Sequence, residues 1–173
     1  MRKSRKQIPM YFNKKQLEFL AAKQPEKLFL GGRGVGKTHV IGAEKYNCLR
    51  KFPKGKTFLS STTYAQILTK TLPEMQSVWA RYGLKEDFHY VVGKRPPSEF
   101  KKPYKPPKRF ENVCTFGNGY TIEFLSMDRP DLARGGSYDG GDIDEAALVK
   151  NEHYTRVIIP SVRGNLQHFG HHP

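Results

Sequence analysis

Two clusters of residues in this chain carry recognisable chemistry. The first is Gly31-Gly32-Arg33-Gly34-Val35-Gly36-Lys37-Thr38, which fills the pattern G-x-x-x-x-G-K-[ST] at every fixed position. Glycines let successive backbone N–H groups curl around a phosphate. The lysine neutralises β- and γ-phosphate charge, and the threonine hydroxyl ligates Mg²⁺. The pattern therefore predicts a nucleoside triphosphate site built on residues 31–38. The second cluster is Asp142-Ile143-Asp144-Glu145-Ala146-Ala147. A phosphate loop needs an acidic partner at the end of a neighbouring strand, where one carboxylate orders the metal and a second orients and deprotonates the attacking water. Asp144 suits the first role and Glu145 the second. The glutamate favours hydrolysis over transfer to an acceptor, because a kinase must avoid activating water. The approach to the pair departs from the usual run of four apolar residues: it reads Tyr138-Asp139-Gly140-Gly141-Asp142-Ile143. Taken alone, Asp-Glu also suits the first turn of a helix.

These groups must be held by elements that the sequence outlines. Lys27–Leu30 reads as a strand entering the phosphate loop. The apolar positions Val40, Ile41, Ala43, Cys48 and Leu49 read as a helix leaving it, which puts the phosphate at a helix N-terminus. Upstream, Asn13 caps a helix that carries Leu17, Phe19 and Leu20. Lys56–Ser61 reads as a second strand, residues 62–82 as a helix interrupted at Pro73, and Phe88–Val92 as a third strand. Val113–Phe116 and Tyr120–Leu125 flank Gly117-Asn118-Gly119, a hairpin signature. A last helix starts at Asn151 and stops at Pro160.

Composition narrows the partners. The 173 residues suit one domain, and the formal net charge is +14. ATP needs only a few cations, so the surplus points to nucleic acid, the alternative being a generally basic, solvated surface. Residues 94–109 concentrate this charge: seven Lys/Arg, one acid (Glu99) and five prolines, with Phe100 and Tyr104 between them. The prolines exclude a regular helix or central strand. Such a loop either tracks a phosphate backbone and stacks bases, or is simply solvated. Residues 1–12 read as a basic N-terminal arm. Cys48 and Cys114 form no C-x-x-C pair and read as reduced thiols in a cytoplasmic protein. No apolar run reaches the ~20 residues of a membrane span. His168, His171 and His172 read as a frayed terminus, not a metal site.

Taken together, these motifs resemble the ATPase domain of the large terminase subunit, the motor that packs DNA into tailed-phage and herpesvirus capsids. The resemblance covers residues 13–162. It rests on Gln16-x-x-Phe19, the arginine-bearing loop 31–38, Ser60-Ser61-Thr62-Thr63 ahead of a helix, and Ala133-Arg134-Gly135 ahead of Asp144-Glu145-Ala146-Ala147. It implies an α/β fold of the P-loop NTPase type: a mostly parallel sheet flanked by helices, with an additional strand and a catalytic glutamate. It implies ATP and Mg²⁺ as cofactors, with Gln16 on the adenine side, Lys37 and the loop on phosphate, and Thr38 and Asp144 on the metal. Glu145, Arg33 (a phosphate sensor or cis cation) and Arg134 (an arginine finger reaching a neighbouring subunit) would be catalytic. Simpler roles for the polar residues are a solvent-facing loop residue (Arg33), a salt bridge to Asp131 or Asp139 (Arg134) and a surface helix residue (Gln16).

The same resemblance implies double-stranded DNA, a homo-oligomeric ring, a portal protein and a small terminase subunit as partners, with no membrane. The family's motor continues past the acidic pair into a strand with a Ser/Thr-Gly coupling motif and then a nuclease. On that basis residues 13–173 would be a partial ATPase domain, incomplete at its C-terminus, that binds ATP weakly and hydrolyses it poorly. Helicase-like or other P-loop ATPases, a small-molecule kinase, and a nucleotide-gated DNA-binding module without turnover are the competing readings.

Overall fold

The computed structural model describes residues 10–32, 34–128 and 136–169. Helix α1 (Lys14–Ala21) begins at Asn13 in a full capping box: the Asn13 side chain accepts from the Gln16 N–H, and the Gln16 side chain accepts from the Asn13 N–H. Helix α2 (Lys37–Lys51) leaves the phosphate loop and turns through Phe52–Gly55 into strand β1 (Lys56–Ser61). A helical segment follows: α3 (Tyr64–Gln66), a π turn (Ile67–Thr71) and α4 (Leu72–Arg81). Strands β2 (Tyr90–Val92), β3 (Val113–Phe116), β4 (Thr121–Ser126) and β5 (Gly140–Ile143) complete one sheet, in the order β2-β3-β4-β1-β5. The β4–β1 and β1–β5 pairs are parallel, and only β3 runs against the others. The chain closes with α5 (Asn151–His153), a second π turn (Tyr154–Ile158), α6 (Ile159–Ser161) and α7 (Leu166–Phe169).

Helices cover both faces of the sheet. On one face α2 and α4 cross closely and enclose Leu59, Met75, Trp79, Phe116, Ile122 and Phe124. Trp79 is fully buried, and its indole N–H donates to the Gly42 carbonyl at 3.0 Å. On the other face Val157 and Ile158 of the second π turn pack against Phe58, Leu125, Met127 and Tyr138.

Two expectations from sequence fail. Residues 27–30 form no strand: Leu28 and Leu30 are 70% and 82% exposed, and no described strand pairs with them. The segment is instead held by edge-to-face packing of Phe29 on Phe19 and by Lys27 bonded to Glu44 of α2 at 2.6 Å. An apolar run becomes a strand only where another strand takes up its backbone groups. Pro160 likewise does not stop the last helix but sits inside it, within α6. Pro73 is placed the same way in α4. Each proline stands two residues beyond the end of a π turn. A proline ring clashes with the carbonyl four residues back, and the widened turn relieves that clash.

Candidate active site

The phosphate loop is shaped by two left-handed glycines, Gly34 (φ 79°) and Gly36 (φ 77°), the second directly ahead of α2. A side chain at Gly36 would meet more than backbone strain. Its Cβ would come within 2.5 Å of Gln16 Nε2. Gln16 is buried, and its carboxamide donates to the Val35 carbonyl at 3.1 Å and to the Gly36 carbonyl at 3.4 Å. Its other end closes the α1 capping box, so one side chain couples the start of α1 to the phosphate loop. Lys37 Nζ donates to the Gly31 and Gly32 carbonyls at 2.9 and 2.8 Å, curling its ammonium back over the loop. Thr38 follows on the first turn of α2, whose free N–H groups and positive dipole end favour an anion. Arg33 and Arg134 lie outside the described residues, as does Asp131. Asp139 is buried, and its carboxylate accepts from the Lys56 N–H and from the backbone and side chain of Asn165.

The acidic pair stands just past β5. The Asp144 N–H continues the ladder to the Ser60 carbonyl at 2.8 Å, so the pair emerges beside the C-terminal end of β1. Thr71 of the first π turn donates its hydroxyl to Asp144 Oδ2 at 2.8 Å. Glu145 has left-handed backbone (φ 59°, ψ 41°), a conformation non-glycine residues adopt at a cost and which clusters at functional sites. Gln66 Nε2 donates to Glu145 Oε2 at 2.6 Å, and the Thr62 hydroxyl bonds to Gln66 Oε1. The helical segment after β1 thus grips both carboxylates. Sequence reasoning singled out Ser60–Thr63 but missed Gln66 and Thr71. Their partners lie 79 and 73 residues downstream, and no local spacing marks such a contact.

The polar approach to the pair also has a structural cause. Asp142 lies opposite Leu59 in the β1–β5 register and so faces α2. There it pairs with Lys45, whose Nζ is 2.7 Å from Asp142 Oδ2, 2.7 Å from the Phe58 carbonyl and 3.1 Å from Thr57 Oγ1. Lys45 is 1% exposed. Gly141 faces the other way, and the Phe58 ring lies across it: a Cβ there would be 2.2 Å from Phe58 Cε1.

The Lys45–Asp142 pair also fixes direction. Lys37 is eight residues back along α2, about 12 Å toward its N-terminus. Asp144 is two residues on along β5, about 7 Å toward its C-terminus. Because α2 turns back through Phe52–Gly55 into β1, both displacements run to the same end of the sheet. At that end the Ser60 and Ser61 hydroxyls are buried without a hydrogen-bond partner among the described residues. Threonine hydroxyl and carboxylate oxygens are the hard donors that Mg²⁺ prefers, and the unpaired hydroxyls suit the waters it retains.

A phosphate loop and an acidic pair facing the same end of a mostly parallel sheet occur in many nucleotide-binding proteins. The deciding observation is the match of residues 28–164 to the model of the terminase large subunit, T4likevirus-type, N-terminal family. The chain belongs to the large-terminase family. The solved large terminase ATPase domain of Thermus phage P74-26 has the same fold, with a TM-score of 0.59 over 87% of this chain at 19% identity. A mutant of that domain aligns over 80% of this chain at 19% identity, with a TM-score of 0.47. The chain spans 60% of the length of the first of these structures. No curated protein matches it. Among the described residues, no helix is long and apolar enough to cross a membrane, and no cluster of His, Cys, Asp and Glu is placed to hold a metal ion.

Proposed function

We propose that this terminase domain hydrolyses ATP with Mg²⁺ and that, within a homo-oligomeric ring, it couples hydrolysis to movement of double-stranded DNA into a capsid. The observation that carries this reading is the orientation fixed by Lys45–Asp142, which aims the phosphate loop and the acidic pair at one end of the sheet. The N–H groups of residues 31–38 and the Lys37 ammonium would hold the β- and γ-phosphates. The Thr38 hydroxyl and the Asp144 carboxylate would hold Mg²⁺, which supplies charge neutralisation of the transferred phosphoryl group. Glu145 accepts a proton from a water that attacks the γ-phosphorus, and ADP leaves. Gln66 fixes one oxygen of that carboxylate and so orients the other. Gln16 acts on the phosphate loop, through Val35 and Gly36, beside the adenine-side role its motif implies. Arg33 is assigned to phosphate sensing and Arg134 to the neighbouring subunit's nucleotide. A portal protein, a small terminase subunit and the host cytoplasm follow from the same reading.

A specific observation favours a second reading, a nucleotide-gated DNA-binding module without turnover by this chain alone. The described sheet ends at β5, whose outer edge pairs with no described strand. Residues 27–30 likewise pair with no described strand. Both features leave room for a further strand between the acidic strand and the phosphate-loop segment. The test is ATP turnover by the chain with and without duplex DNA, beside Glu145→Gln. DNA-stimulated turnover that disappears in Glu145→Gln supports the motor. Turnover indifferent to both DNA and Glu145 rejects it. Nucleotide-dependent DNA binding without turnover selects the module.

A further inference from the structure

The basic segment 94–109 is tied to the rest of the fold by hydrogen bonds. The Lys101 N–H donates to the Gly117 carbonyl at 3.0 Å, the Tyr104 N–H to the Lys54 carbonyl at 3.0 Å, and Lys105 Nζ to the Ser137 hydroxyl at 2.7 Å. Lys54 precedes β1, Gly117 follows the antiparallel β3, and Ser137 precedes β5. All three anchors lie at the end of the sheet where the parallel strands begin. The acidic pair lies at the opposite end.

The aromatic side chains of the segment are already engaged. The Tyr104 ring stacks on His168 with centroids 3.7 Å apart and planes 5° apart, and Lys54 Nζ lies 5.6 Å from its centroid. Phe100 is half-buried against Gly117. Arg95 covers the neighbouring Phe110. Tyr104 is 39% exposed, but His168 occupies one ring face and Lys54 lies beside the ring, so an unstacked base, which single-strand binders hold on aromatic faces, would have to compete with contacts already made. The cations are arranged in the opposite way. Lys101, Lys102, Lys108 and Arg109 are exposed, and none has a carboxylate partner among the described residues. Lys51, in the last turn of α2, adds to the same end. Five prolines restrict the backbone, so little entropy is lost when these cations meet a partner.

We infer that the 94–109 segment is a docking surface for the sugar-phosphate backbone of double-stranded DNA, read without regard to sequence, on the side of the sheet opposite the nucleotide. The inference rests on the motor reading for the presence of duplex DNA and adds the surface that holds it. Exposed cations beside aromatics that are already in contact select a polyanion by charge and shape more than by base stacking.

The test is fluorescence anisotropy of the full chain with a random-sequence 30-base-pair duplex and with a (dT)₃₀ strand, over a salt series. Parent is compared with Lys101→Gln/Lys102→Gln/Lys108→Gln/Arg109→Gln. A control of equal charge, Lys14→Gln/Lys23→Gln/Lys70→Gln/Lys150→Gln, uses exposed lysines outside the segment. Removing about four phosphate-neutralising cations lowers duplex affinity at low salt by about 10²–10³, and the slope of log K against log salt becomes shallower by about 3–4. The control falls less than tenfold. Equal losses in both quadruple variants, or parent-like binding by both, would overturn the surface while leaving DNA binding intact. A parent that prefers the single strand would overturn the duplex form. A parent that binds neither probe would overturn the DNA partner itself.

Discussion

Lys45→Met should be among the most damaging single changes away from the phosphate loop. The substitution keeps the length and apolar stem of the side chain and removes the ammonium. It leaves Asp142, whose side chain is 19% exposed, without its partner, and takes one donor each from Thr57 Oγ1 and the Phe58 carbonyl. Removing one member of a buried ion pair costs about 3–5 kcal/mol. The partial exposure of Asp142 lets water take over part of the ammonium's role, and Thr57 keeps its 2.6 Å bond to the Tyr120 hydroxyl. Lys45→Met therefore belongs at the lower end of that range, about 3 kcal/mol. Asp142→Asn strands an ammonium that is 1% exposed and belongs at the upper end. For a chain of this size about 3 kcal/mol lowers Tm by about 6–12 °C.

The double variant Lys45→Met/Asp142→Leu removes both charges and refills the space. It should return to within about 1–2 kcal/mol of parent, far better than the sum of the single changes. Guanidinium denaturation followed by circular dichroism reads all four proteins. Single losses below about 1 kcal/mol, or a double variant equal to the sum, would show that Lys45 and Asp142 do not hold β5 to α2.

Three further outcomes follow from the same structure. Gln16→Ala removes the α1 capping box and both bonds to the phosphate loop, so it should cost about 1–2 kcal/mol in a urea melt and weaken ATP binding in the same protein. Gly141→Ala forces a methyl against the Phe58 ring and should destabilise by about 1–3 kcal/mol, with Phe58→Leu in the same chain recovering part of the loss. Burial pushes the Cys48 thiol up to about 11, partly offset by Lys45. The folded state therefore keeps a proton that the unfolded thiol releases near 9. Stability should fall as pH rises from about 9 toward 11, at up to about 1.4 kcal/mol per unit, and Cys48→Ser should flatten that fall in guanidinium titrations.

Much of this architecture was legible in the chain because its signals are local. Asn13 and Gln16 form a capping box three residues apart, Gly36 precedes a helix, and Gly117-Asn118-Gly119 separates two β-rich runs. β1 spans the expected residues, and the segment 94–109 is irregular as its prolines require. What stayed hidden depends on partners distant in sequence. Leu28 and Leu30 carry the pattern of a strand, but strand formation is a property of pairs. Lys45 looks like one more surface lysine on a helix until Asp142 arrives from far along the chain. The same pairing accounts for the polar Gly-Gly-Asp approach to the acidic pair. His168 packs on Tyr104 instead of fraying, while His171 and His172 lie outside the described residues. The grip of Gln66 and Thr71 on Glu145 and Asp144 could not be read from spacing, because a π turn breaks the helical period between them.

The most direct measurement is ATP binding set beside single-turnover hydrolysis in the parent chain, Lys37→Ala and Glu145→Gln, with Mg²⁺ present. If the phosphate loop and the acidic pair form one site, Lys37→Ala loses at least tenfold in ATP affinity. Glu145→Gln binds ATP as the parent does and loses at least about a hundredfold in hydrolysis rate, the scale expected for a general base. Equal ATP affinity in all three proteins would contradict the assignment of the phosphate site. Unchanged hydrolysis in Glu145→Gln would contradict the assignment of the base.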